Sequence, residues 1–144
     1  MKKLSLKTIF EGLLLEEVKV HYSDEEKKLI NAASDPNTSP EELINLSKNN
    51  VLGVRLSVAK NPNIPLQAFS ILLKDKSYSV PVTLIKNPNL SPEMLSLLSK
   101  EEDWQKRAEV AGHPNTSKED LVVLSSDEVK YVASLARKRL SNLR

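Results

Sequence analysis

The chain is predicted to be an all-α protein, an α-solenoid of four 26-residue repeats with helical caps, and three observations predict it. First, Asp35-Pro36-Asn37-Thr38, Asn61-Pro62-Asn63-Ile64, Asn87-Pro88-Asn89-Leu90 and His113-Pro114-Asn115-Thr116 start 26 residues apart each time (61 − 35, 87 − 61, 113 − 87). A fixed period in this range is the signature of a repeat architecture, in which each unit buries its apolar face only against its neighbours. Second, apolar residues return at fixed places in the unit, counted from the residue before proline as position 1. Position 9 holds Leu43, Phe69, Leu95 and Leu121, and position 12 holds Leu46, Leu72, Leu98 and Leu124. A spacing of three places both on one helical face. Third, three glycines and 4% aromatic residues argue against sandwiches and barrels, which need many tight turns.

The elements follow in chain order. Residues 1–34 are expected to form the N-terminal cap and a half repeat: an amphipathic helix carrying Ile9, Phe10, Leu13, Leu14 and Val18, then a second-half unit with Leu29, Ala32 and Ala33 on its apolar side. Repeats are assigned to 35–60, 61–86, 87–112 and 113–137, with 138–144 ending the C-terminal capping helix.

Each unit is expected to hold two short helices. Proline in the turn lacks an amide hydrogen and pushes its predecessor toward extended backbone, so no helix runs through it. The asparagine at position 3 (Asn37, Asn63, Asn89, Asn115) is expected to bond its own turn or to take left-handed backbone, giving a stacked ladder of turn-stabilising side chains. The first helix then begins at a cap. Ser39-Pro40-Glu41-Glu42 reads as a capping box, Ser91-Pro92-Glu93 and Ser117-Lys118-Glu119-Asp120 repeat the theme, and Pro65 leaves the second unit without a side-chain acceptor.

The second helix supplies a facing core row at positions 24 and 25, Val58-Ala59, Leu84-Ile85 and Val110-Ala111. Leu135-Ala136 joins that row if the fourth unit has lost one residue. The last helix sets Val129, Val132, Leu135, Ala136, Leu140 and Leu143 against Lys130, Arg137, Lys138, Arg139 and Arg144, a basic-faced closing helix.

The stretch from Asp103 and Trp104 through Arg107, Val110-Ala111 and His113-Pro114-Asn115-Thr116-Ser117 to Leu121 and Leu124 resembles the leucine-rich repeat variant family, and Val54-Arg55 to Val58-Ala59 is a weaker copy. The resemblance spans about residues 24 to 140, and armadillo and HEAT units are broadly similar. It implies a right-handed, armadillo-like superhelix alternating α with 3₁₀ helices. It transfers no cofactor, because the family's best-known cluster-binding segment is cysteine-rich and this chain has no cysteine.

Composition narrows function by exclusion. Without cysteine there is no disulfide framework, thiolate-held cluster or cysteine nucleophile. The net charge of +2 provides little overall pull toward nucleic acid or anionic lipid. Lys7, Glu11, Glu16 and Glu17 interrupt the apolar run that should follow the charged opening of a signal peptide, and no stretch is apolar enough to span a bilayer. A cytoplasmic protein that does not enter the membrane is therefore expected.

Only His21 and His113 offer imidazoles, and His113 sits in the turn slot that asparagine or aspartate fills elsewhere. No catalytic or phosphate-binding motif and no paired metal-ligand spacing occurs. A non-enzymatic protein with no cofactor, no metal and no catalytic residues is expected.

Three partner classes remain. Protein or peptide recognition leads, with Arg55, Tyr78, Trp104, Lys106 and Arg107 as candidate contacts, the aromatics serving either as anchors or as packing between helices. Nucleic acid is the minority alternative, through rows of Lys48, Lys74 and Lys100 at position 14 and of Lys60, Lys86 and Arg137 at position 26. The first row lies at the end of the first helix, where cations favour the negative end of the helix dipole, and that is the preferred reading of it. Self-association through an imperfectly capped end, giving a homodimer, is the third.

Overall fold

The computed structural model describes residues 20–143, and these form nine helices and no strand. They are α1 (Asp24–Ser34), α2 (Pro40–Leu46), α3 (Leu52–Lys60), α4 (Leu66–Leu73), α5 (Ser79–Ile85), α6 (Pro92–Leu98), α7 (Trp104–Gly112), α8 (Lys118–Leu124) and α9 (Lys130–Asn142). The expected N-terminal helix with Ile9, Phe10, Leu13, Leu14 and Val18 lies outside the described residues.

The starts of α2, α4, α6 and α8 fall 26 residues apart each time, so the sequence period is also the period of the helices. All nine are α-helices, which corrects the expected α/3₁₀ alternation. The first helices enter on full i→i−4 bonds, as where the Leu43 N–H reaches the Ser39 carbonyl at 3.0 Å, and tighten only at their exits, as where Lys48 N–H reaches the Asn45 carbonyl at 3.1 Å.

Serine caps explain why such short helices hold. Ser39, Ser91 and Ser117 accept from the backbone N–H of Glu42, Met94 and Asp120 at 3.2, 3.2 and 3.1 Å. The full reciprocal capping box forms at Ser23 and Glu26, ahead of α1, whereas Glu42 does not return the bond to Ser39. Pro65 starts α4 with no side-chain acceptor, as expected.

The core is the two predicted rows brought face to face. Leu43, Phe69, Leu95 and Leu121 are buried, as are Leu46, Leu72, Leu98 and Leu124. Opposite them lie Val58, Leu84, Val110 and Ala136, all fully buried. This layered arrangement is consistent with an α-solenoid. Among the second helices α1 packs on α3, α3 on α5 and α7 on α9.

Ala136 enters this row without a lost residue. Asp127 at position 15 caps the Val129 N–H at 2.8 Å, as Asn49 caps Val51 at the same distance in the first unit, and α9 starts at position 18 as α3 and α7 do. The expected one-residue shift in the fourth unit is therefore corrected, and Arg137 moves from position 26 to position 25.

The turns are tied to one another as well as to themselves. Position 1 closes its own turn: Asp35, Asn61 and Asn87 accept through Oδ1 from the position-3 N–H at 2.8, 2.8 and 2.9 Å. The Asn61 amide then donates to the carbonyls of Ala33 and Asp35 one unit back, and Asn87 repeats this on Ala59 and Asn61, every bond between 2.9 and 3.0 Å. Arg139 stands one period beyond His113 and ends the series, donating to Gly112 and Pro114 carbonyls at 3.1 and 3.2 Å.

Two of the position-3 asparagines stack as the expected ladder of side chains requires, but on the preceding turn and not on their own. Asn63 and Asn115 reach back to the carbonyls of Pro36 and Pro88 in the preceding turn, and no described residue has positive φ. Left-handed backbone is not needed, because the position-1 side chain already completes the turn.

Candidate partner-binding groove

The residue at position 21 differs between the second helices, and two of them carry an arginine there. In α3 this residue is Arg55, whose guanidinium forks onto Asp75 of the next unit at 2.7 and 3.2 Å and caps the Asn49 and Asn50 carbonyls at 2.8 and 3.0 Å. In α7 it is Arg107, which repeats the set on Asp127 at 2.7 and 3.1 Å and on the Glu101 and Glu102 carbonyls at 3.0 and 2.8 Å. The two arginines are 6% and 8% exposed, and no buried side-chain polar atom among the described residues lacks a partner.

These contacts correct two expected recognition residues. Arg55 and Arg107 are structural clamps, with every guanidinium nitrogen turned toward a carboxylate or carbonyl inside the fold. Burial is the largest single influence on Asp75 and opposes its ionisation. Hydrogen bonds from Arg55 and the Ser77 N–H, with the attraction of Arg55, outweigh it and hold the carboxyl below its ordinary value. For Asp127 the bond from Arg107 dominates over burial, and the Val129 N–H adds to it, with the same net direction.

The second unit lacks the clamp. Pro81 occupies the arginine's place in α5, and Glu101 replaces the aspartate it would engage. Glu101 pairs instead with Lys106 at 3.0 Å. At the first junction Leu29 holds the equivalent place in α1 and packs on the core, so α1 and α3 still close. Proline provides neither bond nor depth, and α5 and α7 do not pack backbone to backbone as the other second helices do.

A groove of about 980 Å³ opens along this junction, lined by α5, α7 and the start of α9. Tyr78, Trp104 and Tyr131, at the entries of those three helices, form its aromatic wall, and Pro81, Pro88 and Pro114 also line the groove. Tyr78 is 79% exposed, Tyr131 59% and Trp104 44%. The Trp104 and Tyr131 rings meet edge to face with centroids 6.3 Å apart, an arrangement that aromatic pairs prefer.

His113 reaches the groove floor from a turn. Its Nδ1 accepts from the Asn115 N–H at 3.1 Å, so Nε2 carries the hydrogen and donates to the Asn87 carbonyl at 3.0 Å. Both nitrogens serve the turn series, as position 1 predicts. Among the described residues no cluster of three or more His, Asp or Glu side chains is placed to hold a metal ion.

Of the expected contacts, Tyr78, Trp104 and Lys106 are brought together in the groove. Tyr131 is the addition that sequence reasoning missed; it lies one residue past the position that Tyr78 and Trp104 share.

Lys48, Lys74, Lys100, Lys60 and Lys86 are exposed and carry no salt bridge among the described residues. Lys60 and Lys86 share a shallow depression of about 330 Å³ with Thr83, whereas Lys74 is the C-cap of α4, where a helix dipole favours a cation. Arg137 leaves its expected row: it sits one position earlier and donates from Nε to the Ser125 carbonyl at the end of α8, at 3.0 Å.

No helix in the described residues is long and apolar enough to cross a membrane. Comparison with family models, curated proteins and solved structures returned no match.

Proposed function

We propose that this chain is a non-enzymatic recognition module, a right-handed solenoid of four repeats of the leucine-rich repeat variant type, acting in the cytoplasm and binding a segment of a partner protein in the groove between α5 and α7. The observation that carries the reading is the break itself. Where the Arg–Asp clamp is replaced by Pro81 and Glu101, a concave surface appears, and it is walled by exposed aromatics. Aromatic side chains held in a concavity gain the most from excluding water and are the commonest anchors of protein interfaces.

Selection of a random peptide library on the immobilised protein tests this. Recovered peptides should lose binding to Trp104→Ala and Tyr131→Ala and keep it with Lys74→Ala. Peptides whose binding is indifferent to both aromatic substitutions would place recognition elsewhere.

Phosphate-backbone binding is the second reading, and the depression shared by Lys60 and Lys86 favours it. It requires affinity that falls steeply with salt. Absence of any shift with single- or double-stranded nucleic acid at low salt and micromolar protein removes it.

A further inference from the structure

We infer that the groove's occupant is a proline-rich segment in polyproline II conformation with a basic residue at one flank. This rests on the groove being the recognition site, and it adds the chemistry of what fits there.

The wall is the reason. A groove for an amphipathic helix is built of aliphatic side chains that receive residues three and four apart. Here Val82, Ile85, Ala108 and Leu135 line the groove without being exposed, and its exposed large hydrophobic side chains are Tyr78, Trp104 and Tyr131, flat rings standing at successive helix entries. Polyproline segments dock on walls of this kind, because pyrrolidine rings stack flat on aromatic faces and the stiff backbone has little conformational freedom left to lose.

Charge decides the flank. Among the charged residues lining the groove, Lys106 is already matched by Glu101, while Asp103 and Glu109 on the α7 side are exposed and hold no salt bridge among the described residues. Lys86 stands at the opposite side, on the exit of α5. The α7 side thus favours a cation, and an Arg or Lys beside the prolines would meet Asp103 and Glu109 there. The Trp104 indole N–H makes no hydrogen bond to another described residue and is free to donate to a polyproline carbonyl, all of which face solvent in that conformation.

The chain has a single tryptophan, so Trp104 emission reports the site directly. The probes are decaproline, decaproline with one terminal arginine, and an alanine-based amphipathic helical peptide of equal length. A saturable change in emission is expected with both proline peptides, at least threefold tighter for the arginine form, with Tyr78→Ala and Tyr131→Ala each weakening it at least tenfold. Trp104→Ala, followed by calorimetry, should abolish binding.

The double variant P81R/E101D restores the missing clamp and should reduce proline-peptide affinity at least tenfold, with a circular dichroism spectrum and melting curve confirming that it folds. Unchanged emission up to millimolar proline peptide overturns the inference. If the helical or library peptides then bind at Trp104, the recognition reading stands and only the ligand chemistry fails; if none binds, both fail.

Discussion

Replacing Arg107 by alanine should be among the most damaging single changes in the molecule. The substitution removes two bonds to Asp127 and two to the carbonyls of Glu101 and Glu102, all within 3.1 Å. It leaves a carboxylate that is 8% exposed with one remaining donor, the Val129 N–H at 2.8 Å. Stripping one partner from a buried ion pair costs about 3–5 kcal/mol, most of it the desolvation of the charge left behind.

With a urea slope of about 1–3 kcal/mol per molar for a protein of this size, the midpoint should fall by at least about 1 M. Urea unfolding followed by Trp104 emission reads the affected half of the chain. The variant R107M/D127N separates charge from connectivity, because the amide oxygen introduced in place of the Asp127 carboxylate would still accept from the Val129 N–H while no buried charge remains. It should recover at least half of the loss. A midpoint shift under about 0.3 M for R107A, or a double variant no more stable than R107A, would refute the clamp.

Acid should loosen both clamps: Asp75 and Asp127 titrate below their ordinary values, so their contribution is complete above the unfolded carboxyl value of about 3.9 and is lost as pH falls through the folded values. Urea midpoints measured below about pH 4 should drop, and D75N with D127N should flatten that drop. Asn87→Leu should cost about 1–3 kcal/mol for each of the two buried carbonyls it deserts, seen as a lower melting temperature and faster amide exchange in α3 and α5. Leu95→Ala should lose about 2–5 kcal/mol for emptying a packed leucine site, while Lys74→Ala should leave the denaturation curve in place. Gly112→Ala should stabilise by about 0.4–1 kcal/mol, since an added Cβ meets nothing within 4 Å.

Helices and core were legible because the signals are local or periodic. Proline at position 2, a serine or proline cap and leucines three apart each act within one unit, and repetition every 26 residues multiplies their weight. The clamps were misjudged because they are relational. Arg55 and Arg107 look like free cations until each is set beside the aspartate 20 residues on, in the next unit.

That signal was present in the sequence twice, at Arg55 with Asp75 and at Arg107 with Asp127, and the groove lies where Pro81 and Glu101 stand in the same two positions. Tyr131 escaped notice because repeat alignment rewards equivalence, and its contact with Trp104 joins non-equivalent positions. The misplaced Arg137 followed from matching Leu135-Ala136 by residue type, where the turn bonds of Asp127 fix the count.

The turn-to-turn hydrogen bonds also limit how such a chain can change its length. Asn61, Asn87, His113 and Arg139 differ in shape, yet each carries an N–H that reaches the backbone one period behind. An insertion of a whole period would hand the next donor an identical set of acceptors, whereas one of any other size would strand the donor whose bonds span it, leaving later donors paired among themselves. Duplication in complete modules is thus the least disruptive route to a longer molecule, and partial insertions are tolerated only in loops that bulge outward without advancing the count.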